Sequence, residues 1–150
     1  MSVKKRRYTL GEANRTLPYV RSVVEEVQAR YRVVQESGRR HNALAATEEQ
    51  QRAALKEEIR EAADRIRACL DELQALGIEM KDYEEGLVDF PSELEGRPIL
   101  LCWKHGEEKL GYWHEVDAGA KGRKPVPDDL DWPPAPAPAK GKSGTSPKLS

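Results

Sequence analysis

Cysteine, aromatic side chains and long apolar runs are all scarce in this chain of 150 residues, and each scarcity removes a class of protein. Two cysteines, Cys69 and Cys102, cannot build a disulfide framework and suit a reducing compartment. No apolar run approaches the length needed to span a bilayer. The opening "MSVKKRRYTLGEANRTL" is basic but lacks an apolar h-region, so it does not read as a secretory signal. A cytoplasmic protein with no membrane partner is expected. An excess of one charge is missing too: 25 Lys and Arg stand against 26 Asp and Glu, a net charge of -1, which excludes global attraction to nucleic acid and leaves only local patches. Glycine is nearly absent from the first half, where only Gly11 and Gly38 precede Gly77. Few chain-breakers there leave room for long helices.

The first half carries a helical period. Thr9 and Glu12 have the spacing of a capping box, and Leu17, Val20, Val24, Val27, Tyr31 and Val34 then step by three and four residues into one stripe. The register stops at "SGRRHN". Thr47 with Gln50 offers a second capping box, after which Leu55, Ile59, Ala62, Ile66, Cys69, Leu73 and Leu76 repeat the stripe until Gly77 ends it. Pro18 lies inside the first stripe. A single kinked helix fits better there than a second helix capped by Thr16, because helices over 10–36 and 48–76 then reach similar lengths of roughly 40 Å. Two stripes joined by a short polar segment predict an antiparallel, coiled-coil-like helical hairpin.

From Ile78 the pattern changes to short apolar runs, "GLVDFP", "PILLCWK" and "KLGYWHEV", punctuated by glycine and proline, which read as strands. A turn closed around Gly106 and Glu107 sets Lys104 opposite Lys109 and Leu101 opposite Tyr112. Alternation then places Ile99, Leu101 and Trp103 with Leu110, Tyr112 and His114 on one face, and Leu100, Cys102, Trp113 and Glu115 on the other. Residues beyond Lys121 are rich in Pro, Ala, Ser, Gly and Lys and read as a disordered tail. The fold class expected is α+β: a long helical hairpin (8–77) followed by a small antiparallel β-sheet (78–118) in a single domain of 8–120, then a disordered C-terminal tail over 121–150.

The blocks "LGEANRTLPYVRSVVEEV" and "KDYEEGLVDFPSELEGRPILLCWKHGEEKLGYWHEVDAGAKGRKP" together resemble a bacterial family known as domain of unknown function 2203, over residues 8–125. The resemblance implies a helical hairpin followed by a small sheet. It implies no activity, and no catalytic residue comes with it.

Candidate chemistry gathers in the second half. His114 and Asp117, with Asp82 and Asp89 upstream, have the ligand types of a divalent cation site, or of a histidine base oriented by a carboxylate. Their spacing matches no metal motif, however, and a strand-end histidine bonded to a nearby carboxylate is the commoner outcome. Cys102 and His105 stand in Cys-x-x-His spacing, but with Cys69 in a helix stripe there are too few ligands for structural zinc, and Cys102 reads as a buried thiol. Tyr83, Phe90, Trp103, Tyr112 and Trp113 gather on the sheet; with Trp103 and Trp113 on opposite faces, one needs a cover, which makes Trp103, Tyr112 and Trp113 a candidate partner surface. In "GAKGRKP" (119–125), Lys121, Arg123 and Lys124 could meet an anion or simply link. No catalytic set, metal or cofactor is implied. The leading expectation is a non-enzymatic protein-interaction or scaffold module, forming a homodimer and binding an unidentified protein partner. The alternatives are a small metal- or ligand-binding protein or enzyme using His114 and nearby carboxylates, and a nucleic-acid or ribosome-associated protein acting through the basic residues 4–7, a partner the charge balance disfavours.

Overall fold

Thr9 caps the first helix as its spacing requires: its hydroxyl accepts from the Glu12 N–H (3.1 Å) and its own N–H donates to the Glu12 carboxylate (2.9 Å). The computed structural model describes residues 7–135. Helix α1 (Leu10–Ala43) runs for 34 residues, about 51 Å at 1.5 Å per residue. It continues through Pro18, so no second helix starts at Thr16. It also runs through "SGRRHN", past the stop expected near residue 36. The reason lies in the partner helix: Ser37 is buried in the seam and its hydroxyl donates to Glu58 (2.9 Å). Arg52 closes the tip by donating to the carbonyls of His41 and Leu44 at the C-terminal end of α1.

Helix α2 (Glu49–Ala75) returns antiparallel. Its capping box does not form. Glu48, not Thr47, is the N-cap and makes no side-chain cap bond; its carboxylate instead accepts from the Ala45 N–H within the turn. Among the described residues no helix is long and apolar enough to cross a membrane.

Five strands form one sheet in sequence order: β1 (Glu79–Asp82), β2 (Leu87–Leu94), β3 (Arg97–Lys104), β4 (Tyr112–Glu115) and β5 (Lys124–Pro125), neighbours antiparallel. The sequence disclosed the middle three. β1 and β5 are too short and too charged to announce themselves by alternation.

The register between β3 and β4 differs from the expectation by one residue: Leu101 lies opposite Trp113, and Cys102 opposite Tyr112. The cause is the connection. Residues 105–111 do not fold as a tight hairpin but are held by α1, whose Asn14 accepts from the Leu110 N–H (2.8 Å) and donates to the Leu110 carbonyl (3.3 Å). A one-residue slip exchanges faces. Trp103 and Trp113 therefore lie on the same face, with Ile99 and Leu101, and Tyr112 and His114 lie on the other with Cys102.

The hairpin covers the tryptophan face. Leu10, Ala13, Leu17, Val20, Val24 and Val27 of α1, with Cys69 and Leu73 of α2, pack into one core with Val88, Phe90, Ile99, Leu101, Trp103 and Trp113. Trp103 is fully buried and its indole N–H donates to the Glu107 carbonyl (2.9 Å). Tyr8 ties the layers together: its N–H donates to the Pro91 carbonyl, its carbonyl accepts from Ser92, and its hydroxyl donates to the Leu76 carbonyl.

Residues 121–135, assigned to the tail by composition, continue the structure. After β5, Val126 and Trp132 pack on the core, with Trp132 5.8 Å from Trp113 between ring centroids. The carbonyls of Trp132 and Leu130 accept from the N–H groups of Leu10 and Gly11, in the first turn of α1. Gly11 permits this approach, since a Cβ there would lie 3.1 Å from the Leu130 carbonyl oxygen. Residues 136–150 of the expected tail lie outside the described residues.

Candidate functional site: a sealed Asp–Cys–His centre

On the sheet face turned away from the helices, three adjacent strands bring together Asp89, Cys102 and His114. Asp89 of β2 lies directly opposite Cys102 of β3, and His114 of β4 is opposite Leu100, one side-chain step along the same face. One ligand-type atom from each of the three lies within 4.8 Å of the other two. All three residues are buried, at 3%, 0% and 1% exposure.

The hydrogen bonds fix the imidazole. His114 Nδ1 is 2.8 Å from the Glu115 carbonyl oxygen, which can only accept, so Nδ1 carries a proton and donates. Nε2 is then the edge presented to Asp89, 3.1 Å from Oδ1. The Cys102 thiol lies beside the Asp89 carboxylate, across the β2–β3 ladder.

Burial dominates the acid–base behaviour. It pushes the Asp89 carboxyl above the usual carboxylate range, against the pull of His114 and of Lys81. It pushes the Cys102 thiol up to about 12, with Asp89 adding to the effect and Arg123 opposing it. A thiol so protonated and so enclosed is no nucleophile.

The other expected residues divide around this centre. Arg123 closes its rim, donating to Glu107 (2.9 Å) and to the Cys102 carbonyl (3.5 Å) while its guanidinium stacks over Tyr112 at 4.0 Å from the ring centroid. The short 3₁₀ turn Ala120–Gly122 packs on β4 beside it. Asp82 is elsewhere, its carboxylate accepting from the Glu84 and Glu85 N–H groups in the β1–β2 turn. Asp117 is exposed in the turn after β4. Trp103 and Trp113 belong to the core rather than to a surface, which removes the reason for expecting a cover over one of them. Tyr112 alone of the three aromatics stays exposed, at 37%. His105 points away from Cys102's partners to the Glu25 carboxylate of α1, 3.0 Å away, so Cys-x-x-His was an accident of spacing.

Sequence reasoning rightly took Cys102 as a buried thiol but set it on the face opposite His114. With the correct register, alternation alone would have set it beside His114.

A model described as an uncharacterized conserved protein, DUF2203, matches residues 6–126, from the capping box through β5. The chain belongs to this family. The matched stretch includes every residue of the DUF2203 centre and of its rim. No curated protein and no solved structure matches the chain.

Proposed function

We propose that this protein is a non-enzymatic interaction module, in which the sheet with its sealed centre is a rigid base and the far end of the helical hairpin is the working surface, pairing with a second copy of the chain. The observation that carries this reading is where the core stops. It ends at Val27 on α1 and Cys69 on α2, with Ile66 half-buried against it. The β1–β2 turn reaches somewhat farther, through Tyr83 against Tyr31 and Glu84 with Gln28 and Gln35. From Glu36 to the tip, the interactions described above are helix to helix. Beyond Tyr31 the seam is thin: Leu55, Ala62 and Ser37 are buried, Val34 and Ile59 only partly, and Val33 is 37% exposed.

Two helices sharing so narrow a seam gain little against the entropy of ordering them. Pairing two hairpins into a four-helix bundle would complete the burial, and twofold symmetry makes a closed dimer the simplest assembly. The enclosure of Asp89, Cys102 and His114 speaks against catalysis at that centre, since a substrate would find no reacting atom at the surface. The nucleic-acid alternative rests on residues 4–6, which lie outside the described residues, and on Arg7, whose guanidinium donates to the Pro133 carbonyl.

The reading is tested by mass in solution. Light scattering should return twice the chain mass. Val33→Glu together with Val34→Glu should return the monomer while the helical circular dichroism of the sheet-proximal half persists. A wild-type chain that is monomeric at high micromolar concentration would remove the proposal.

A further inference from the structure

We propose that Asp89, Cys102 and His114 form a binding site for one divalent ion of the zinc class. The three supply one thiolate sulfur, one imidazole nitrogen and a carboxylate, a donor set that suits zinc and its neighbours and not magnesium or calcium, which take oxygen donors. The donor atoms already lie within 4.8 Å of one another, so small side-chain rotations bring them to bonding distance.

A second observation concerns the ring. His114 donates its Nδ1 proton to the Glu115 carbonyl (2.8 Å), leaving Nε2 directed at Asp89. Histidine ligands of metals are oriented in this way by a hydrogen bond on the nitrogen away from the ion. An isolated Asp–His pair would not need the cysteine; here the thiol is set directly across from the carboxylate on the neighbouring strand.

Charge selects the valence. Thiolate, carboxylate and neutral imidazole together carry two negative charges, and a divalent ion bound to them gives zero net charge. A monovalent ion would leave the buried site negative, at a steep desolvation cost. Asp89 has a second oxygen to complete four-coordination.

The test uses the full chain stripped of metal by a chelator and titrated with Co²⁺, which reports its ligands by colour. The titration is run both in native buffer and during refolding, so that the closed rim cannot hide the site. The expected result is one ion per chain, a thiolate-to-cobalt charge-transfer band and intense four-coordinate ligand-field bands, both sets of bands lost when Zn²⁺ displaces the cobalt. Cys102→Ser should abolish the charge-transfer band, Cys69→Ser should retain it, and Asp89→Asn should weaken binding at least about tenfold with unchanged circular dichroism. The proposal is overturned if the folded wild-type chain gives no charge-transfer band, or if the band survives in Cys102→Ser or depends on Cys69.

Discussion

His114 places two hydrogen-bond acceptors on one buried imidazole, and the consequences of removing it follow from what would remain. His114→Ala leaves Asp89 buried at 3% exposure without its imidazole partner, and stranding a buried polar group costs about 1–3 kcal/mol. Urea unfolding should show that loss. Asp89→Asn should cost less, and the double variant should cost less than the sum of the singles, because the second change removes the group that the first stranded. The pH dependence has a definite sign. Burial raises the Asp89 carboxyl above its usual 3.8, so the metal-free native state holds that proton more tightly than the unfolded chain does. Its contribution is fully present below the usual value and is lost as pH rises through the folded one. The groups facing it are His114, Cys102 and Lys81. In metal-free protein, stability plotted against pH should therefore fall across that window in wild type and flatten in Asp89→Asn. At Gly86, φ is +74° and a Cβ would lie 2.7 Å from the Cβ of His105, so Gly86→Ala should cost about 1–3 kcal/mol in the same unfolding assay.

Single elements explain why some of the structure was legible and some was not. The start of α1 could be read because Thr9 and Glu12 are a local signal, complete within four residues. The end of α1 could not, because what carries the helix through Ser37 and Gly38 is a bond to Glu58 on the other helix. The β3–β4 register was lost in the same way: it depends on Asn14, 96 residues before the Leu110 backbone that it holds. That single slip hid the candidate site, since it put Cys102 and His114 on opposite faces and separated two tryptophans that share one. The closing segment was misread because proline and aspartate in 125–133 look like a linker, while its Trp132 packs against Trp113 and its carbonyls serve the first turn of α1. Asn14→Ala should weaken the loop without melting the helices. Trp132→Ala should lower the thermal midpoint and shift the remaining tryptophan emission to the red as water reaches Trp113.

At the scale of the molecule, the helical hairpin on a small sheet was fully anticipated in kind, because heptad spacing and strand alternation are properties of each segment alone. Which sheet face the hairpin would cover was not, because both faces of "ILLCW" are apolar and the choice rests on register. The sheet has two different faces: one buries its tryptophans under the hairpin, and the other gathers Asp89, Cys102 and His114 into a closed centre. The rod beyond the sheet is the part that the proposed pairing would cover. The most direct measurement is a crystal structure of the zinc-incubated full chain with anomalous data at the zinc edge. The account predicts Leu101 opposite Trp113 and one anomalous peak at about 2.0–2.3 Å from Cys102 Sγ, His114 Nε2 and the Asp89 carboxylate. Leu101 opposite Tyr112, with those three side chains facing apart and no peak between them, would contradict it.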